Sequence, residues 1–271
     1  MLSSKDKQGL WVIVTVVILL IIVLVVKGNL DNKPKPGLNN CTGDVTANTV
    51  VVLDYSQQIT NQTREEITAR AMMHIHGKVK INELVSVFTI SEFSKKSLQP
   101  LVSLCRPPED GNRAIENVQQ IRKFFQKNFE IPLREALSGT PGESKESPIA
   151  QVITDISLSQ YLRGKSNTLI IFSDMLENTS KFSLYKCDSQ ANVIAQYRES
   201  RRGALERPEL KNTSVSLNII PRLDLTKGSL ICRDKLWTWF FGNNEGPQAG
   251  VSLDYLPGGV SMGSTVSGLK K

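Results

Sequence analysis

The chain has two histidines and four cysteines in 271 residues, and neither set has the spacing that its chemistry needs. His74 and His76 stand two apart, so they do not share a helix face and read as packing or solvent-facing groups, not as a zinc pair. Cys41, Cys105, Cys187 and Cys232 contain no C-x-x-C unit, which argues against thiol redox and zinc-ribbon chemistry. No glycine-rich phosphate loop follows a strand-like run, and no Ser-His-Asp arrangement is legible. A metal-dependent hydrolase would lack a recognisable base or nucleophile, so the expectation is a protein that is not an enzyme. The formal net charge of +7 is diffuse. Without a basic stripe carrying interleaved aromatics, nucleic acid is not expected as a partner. There is no internal repeat.

The most pronounced local feature is an apolar run, LWVIVTVVILLIIVLVV, from Leu10 to Val26. Its 17 residues hold no charge and would rise roughly 26 Å as a helix, the low end for a bilayer core. Trp11 fits an interfacial aromatic and Lys27 can snorkel. The competing reading is a cleaved secretory signal, but VVKGN lacks a small-x-small cleavage pattern. An uncleaved signal anchor is expected, with membrane contact through residues 10–26. Lys5 and Lys7 before the run nearly balance Lys27, Lys33 and Lys35 after it, so charge does not set the orientation. A short cytoplasmic N-terminus and an extracytoplasmic C-terminal domain, periplasmic in a bacterium, are expected. All four cysteines lie beyond the run, and an even count permits two disulfides in an oxidising compartment.

The expected organisation is a tail (1–9), the anchor (10–26), a linker (27–46) that includes the Pro-containing DNKPKPGLNN, one domain (47–256) and a Gly/Ser-rich tail (257–271). Within the domain, strand-like and helix-like segments alternate. TVVVLDY (Thr49–Tyr55), ELVSVFTIS (Glu83–Ser91), NTLIIFSD (Asn167–Asp174) and SVSLNII (Ser214–Ile220) read as strands, with GVSLDYL as a short last one. PLVSLC (Pro100–Cys105) follows the second closely enough to predict an antiparallel hairpin. Helices are predicted over Arg64–Gly77, with Ile67, Ala71 and either His74 or Ile75 facing inward, and over Ala114–Phe129, Ile149–Leu162, Asp188–Arg202 and Leu230–Phe241. Ser147-Pro148 reads as the start of the third, with Ser147 as N-cap and Pro148 at the first helical position. The aromatic group Trp237, Trp239, Phe240 and Phe241 reads as packing. This alternation predicts a doubly wound α/β fold, mostly parallel with one antiparallel edge strand, preceded by one transmembrane helix.

In such sheets ligands sit beyond the carboxyl ends of the central strands. The residues there are Asp54-Tyr55-Ser56-Gln57-Gln58 and Ser173-Asp174. With Ser147 they form an oxygen-rich set suited to Mg²⁺, Mn²⁺ or Ca²⁺ if the loops meet. VVVLDYSQQ, SPIAQVI and LIIFSDM resemble the three metal-site segments of the von Willebrand factor A family, and the resemblance covers about Thr49 to Leu256. Asp54 and Ser56 match the family's Asp-x-Ser-x-Ser motif. Gln58 stands in place of its second Ser. Ser147 matches the family's Thr, with Thr140-Pro141 as a rival. Asp174 matches the third segment, where Met175 replaces the usual Gly. The resemblance implies hydroxyls bound directly to Mg²⁺ or Mn²⁺, aspartates acting largely through water, and a partner carboxylate completing the shell. Gln58 would either offer its amide oxygen or block the site. A degenerate site, with Asp54 and Ser56 only capping loops, is the alternative.

The same topology places Cys41 and Cys105 at the lower end of the sheet and Cys187 and Cys232 near the upper rim. It therefore predicts the pairs Cys41–Cys105 and Cys187–Cys232. The functional expectation is a membrane-tethered protein-interaction module of the cell envelope. Its alternative is a metal-free structural subunit of an envelope or secretion-type assembly.

Overall fold

The computed structural model describes residues 4–31, 37, 39–56, 58–90, 98–113, 116–139, 144–185, 187–188, 192–222, 224–244 and 246–257. The chain divides into two compact units, Met1–Gly37 and Leu38–Lys271. The first contains one helix, α1 (Ser4–Asp31). Its side chains are described only from Trp11 to Val25. Among the described residues, no helix is long and apolar enough to cross a membrane.

The second unit is an α/β domain. Its elements run β1 (Ala47–Leu53), α2 (Asn61–Lys78), β2 (Leu84–Thr89), β3 (Val102–Cys105), α3 (Val118–Phe125), α4 (Ile131–Ser138), α5 (Ile149–Leu158), β4 (Ser166–Ser173), α6 (Val193–Ser200), β5 (Thr213–Ile219), α7 (Lys227–Phe241) and β6 (Gly250–Tyr255). The six strands form one sheet in the order β3-β2-β1-β4-β5-β6. Every pair is parallel except β2–β3, the antiparallel hairpin predicted from its short connection.

Period-two alternation divides the core between the two faces of the sheet. Val51, Leu53, Val85, Val87, Ile170 and Phe172 pack with Ile67, Ala71 and Ile75 of α2, and with Phe125, Phe129, Leu133 and Leu137 of the helical run from α3 to α4. The inward side chain of α2 is thus Ile75, not His74. Val50, Val52, Leu169, Ile171, Val215 and Leu217 face α5, α6 and α7, with Trp237, Phe240 and Phe241 in that layer. The α7 aromatics pack edge to face: Trp237 and Phe240 centroids lie 5.0 Å apart. That geometry is favoured by the ring quadrupole.

Sequence periodicity closed the second helix at Phe129, but the helical run continues to Ser138. The join is a π-helical turn, Gln126–Glu130, just before Pro132. Proline has no N–H for the carbonyl four residues back, and its ring crowds that carbonyl; an extra residue in the turn relieves both. The carbonyl in question belongs to Asn128. It accepts instead from the Asn40 side-chain amide at 2.7 Å. Asn40 makes this reach from a left-handed backbone, φ 61°, which Asn tolerates better than most residues.

Both predicted disulfides are present. Cys41–Cys105 joins the segment before β1 to the end of β3, with Cα atoms 4.9 Å apart. Cys187–Cys232 ties the segment after β4 to α7, with Cα atoms 6.2 Å apart. Two such bonds fit a domain that resides in an oxidising, extracytoplasmic compartment.

Candidate functional site

The strand order reverses at β1, whose two neighbours are β2 and β4, and the crevice beyond their carboxyl ends is the expected ligand position in an open α/β sheet. Leu53 lies opposite Phe172 in the β1–β4 register. The Asp54 N–H donates to the Phe172 carbonyl at 2.8 Å, so the sheet ladder itself carries Asp54 to the rim.

Asp54 is the centre of a hydroxyl shell. Its Oδ1 accepts from the Ser56 N–H at 3.1 Å and the Ser56 hydroxyl at 2.6 Å. Its Oδ2 accepts from the Ser147 hydroxyl at 3.2 Å and the Ser173 hydroxyl at 2.6 Å. Three distant stretches therefore converge on one carboxylate. Asp54, Ser56, Ser147 and Ser173 are all buried.

Asp174, the residue after Ser173, is buried beside them. Its Oδ1 accepts the Leu176 N–H at 3.0 Å. Its Oδ2 is held by Arg222 Nη1 at 3.0 Å, with the two side chains only 6% and 8% exposed. Burial, reinforced by the neighbouring Asp54 charge, pushes the Asp174 carboxyl up to about 7, against the pull of the Leu176 N–H and Arg222. Arg222 also grips Asp224 through Nε at 2.8 Å and Nη2 at 2.6 Å. Its Nη1 donates to the Tyr185 hydroxyl at 3.3 Å, and the guanidinium stands 5.5 Å from that ring's centroid. Burial works against the Arg222 charge, but Asp224 and Asp174 outweigh it and hold the group protonated beyond its ordinary range. Burial and the Asp174 charge push the Tyr185 phenol up to about 12.

Ser147 does not cap α5, which corrects the predicted helix start. The helix begins at Ile149 with Pro148 at its N-cap, without a side-chain cap bond. Ser147 instead makes a bridge with Asn178, exchanging backbone bonds of 2.7 and 3.0 Å, and this turns its hydroxyl to Asp54. The capping acceptor comes from elsewhere in the chain. Glu177 takes the Ala150 N–H at 2.8 Å, which places a carboxyl at the positive end of the helix dipole. Burial pushes the Glu177 carboxyl up to about 8, with the Ala150 N–H and Arg201 pulling against it.

Met175 has φ 58°, a left-handed conformation that favours glycine. The turn is braced on both sides. The Met175 N–H donates to the Ser173 hydroxyl at 2.8 Å, and its carbonyl accepts from Trp237 Nε1 at 2.6 Å. The side chain is fully buried.

Of the predicted site residues, Asp54, Ser56, Ser147 and Asp174 thus lie at one rim. Gln58 is exposed on the same loop. The rival pair Thr140-Pro141 lies outside the described residues. Sequence reasoning passed over Glu177, Tyr185 and Arg222. Arg222 was the most findable, since it stands three residues beyond β5, a parallel strand whose carboxyl end points to the same rim.

The residues present can be compared with the needs of a divalent ion. Five oxygen-bearing side chains are to hand: the three hydroxyls donate to Asp54 and keep their oxygen lone pairs, whereas Asp174 Oδ2 carries a guanidinium. An ion on Asp174 would meet the Arg222 charge. With Arg222 in place, Asp174 does not fit Mg²⁺ or Mn²⁺ as a ligand. Among the described residues, no three His, Cys, Asp or Glu side chains gather as a metal cluster. No family model matches the chain, and no curated protein matches it either.

Proposed function

We propose that this chain is a membrane-tethered protein-interaction module of the cell envelope. Its domain is read as one of the von Willebrand factor A type, and it meets a protein partner at the rim beyond β1 and β4. The apolar run Leu10–Val26, within the helical backbone Ser4–Asp31, supports the tether. The two disulfides support export of the domain, and the N-terminus is read as remaining in the cytoplasm. The observation that carries the binding role is the convergence of the Asp54–Ser56 turn, Ser147 and Ser173–Asp174 on a single hydroxyl-shelled carboxylate.

A photo-crosslinking amino acid at Gln58, on the rim loop, is expected to capture a partner in intact cells. The same probe at Lys165, at the opposite end of β4, is expected to capture none. Equal capture from both positions, or none from Gln58, would remove the rim from the reading. The tether is tested separately, by labelling of Ser4→Cys and Ser252→Cys with a membrane-impermeant thiol reagent. Only the second is expected to react in intact cells.

The buried Arg222–Asp174 pair favours a second reading, a metal-free structural subunit of an envelope or secretion-type assembly. In that case the crosslinked partner would be a permanent neighbour that copurifies in fixed stoichiometry.

A further inference from the structure

The resemblance to a metal-holding family implies a divalent ion at the rim, and this chain places a guanidinium there. A divalent ion in such a site has two tasks. It neutralises buried carboxylates, and it orders the oxygens around them. Here both are performed by protein groups. Arg222 supplies the positive charge, 3.0 Å from Asp174, and the Ser56, Ser147 and Ser173 hydroxyls close the Asp54 shell. The planar fork is fixed from its other side by Asp224, through two bonds, and its face lies over Tyr185. Arginine suits this position because it presents several donors in a rigid plane and keeps its charge when buried. Lysine would offer a single flexible charge.

We propose that Arg222 is the resident cation of the rim: it holds Asp174, a carboxylate that the resemblance assigns to a divalent ion, and Mg²⁺ or Mn²⁺ gains access to Asp174 only when Arg222 is removed. The inference does not depend on which partner the rim meets, and a failed crosslinking experiment would leave it untouched.

The test uses the full chain in detergent with MnCl₂ as probe. Bound Mn²⁺ is read by electron paramagnetic resonance and Tm by thermal unfolding. The wild type is expected to bind no Mn²⁺ at millimolar concentration and to show no Tm shift. Arg222→Ala leaves Asp174 without its ion-pair partner. Its Tm is expected to fall by roughly 5–10 °C, to recover at least half of that loss on addition of Mn²⁺, and to show one bound ion. Adding Asp174→Asn to Arg222→Ala is expected to abolish both the ion and the recovery. Arg222→Lys keeps a charge without the fork; it is expected to lose stability yet remain blind to Mn²⁺. Stoichiometric Mn²⁺ binding by the wild type that disappears in Asp174→Asn would overturn the proposal. So would a folded Arg222→Ala protein that takes up no Mn²⁺. If Arg222→Ala cannot be recovered folded, the wild type and Arg222→Lys decide: Mn²⁺ bound by either refutes the proposal, and blindness in both supports it.

Discussion

Glu177 provides a direct test of how the rim is assembled. Its carboxyl is buried at the N-terminus of α5, accepts the Ala150 N–H, and has its pKa pushed from 4.5 to about 8, chiefly by burial. The folded protein therefore holds a proton on this group that the unfolded chain releases above about pH 4.5. Stability is highest below that value and falls as the pH rises from about 4.5 to about 8, after which the contribution is flat. Moving a carboxyl across that interval is worth on the order of 5 kcal/mol. Glu177→Gln keeps an oxygen acceptor for the helix N-terminus and removes the proton dependence. At pH 5 the variant should match the wild type within about 1 kcal/mol. At pH 9 it should be more stable by several kcal/mol, a rise in Tm on the order of 10 °C for a domain of this size. Glu177→Ala should be less stable than Glu177→Gln at every pH, since it discards a cap worth about 1 kcal/mol and leaves a hole. Thermal unfolding of the full chain across pH 5–9 measures all three. Asp174 titrates in the same direction, so the difference between wild type and Glu177→Gln isolates Glu177. A Glu177→Gln protein no more stable than wild type at pH 9 would refute the reasoning.

Two further predictions concern backbone strain. At Met175, whose φ is 58°, Met175→Ala loses a buried side chain, about 2–4 kcal/mol, and keeps the left-handed strain. Met175→Gly loses the same side chain and relieves about 1 kcal/mol of that strain. Glycine should therefore be the milder substitution, by unfolding in urea, and the opposite order would show that the turn is unstrained. At the π-helical turn, Asn40→Ala should cost about 2 kcal/mol by stranding the Asn128 carbonyl and straining its own backbone. In a Pro132→Ala background, where a backbone N–H is again available to that carbonyl, the cost should shrink by about 1 kcal/mol; an unchanged cost would break the link between Pro132 and Asn40.

The alternation of buried strands and amphipathic segments was enough to specify an α/β sheet, its antiparallel hairpin and the pairing of four cysteines. The first two follow from periodicity and connection length, which are local properties of the chain, and the pairing follows from the strand directions that they imply. The same patterns marked Asp54, Ser56 and Asp174, because residues just beyond parallel strands share one rim wherever those strands meet. What only the tertiary structure decided is what those residues touch. Ser147 looks like a helix cap from its neighbours, Pro148 and Ile149, yet a bridge to Asn178 turns it to Asp54, and Glu177 takes over the cap. Arg222 follows its strand as an ordinary surface arginine would. Its role arises because β5 lies beside β4, which brings the guanidinium onto a carboxylate 48 residues away in sequence. Periodicity encodes which face of an element is buried; it carries no information about which charge another loop will bring to that face, and at this rim that charge sets the chemistry.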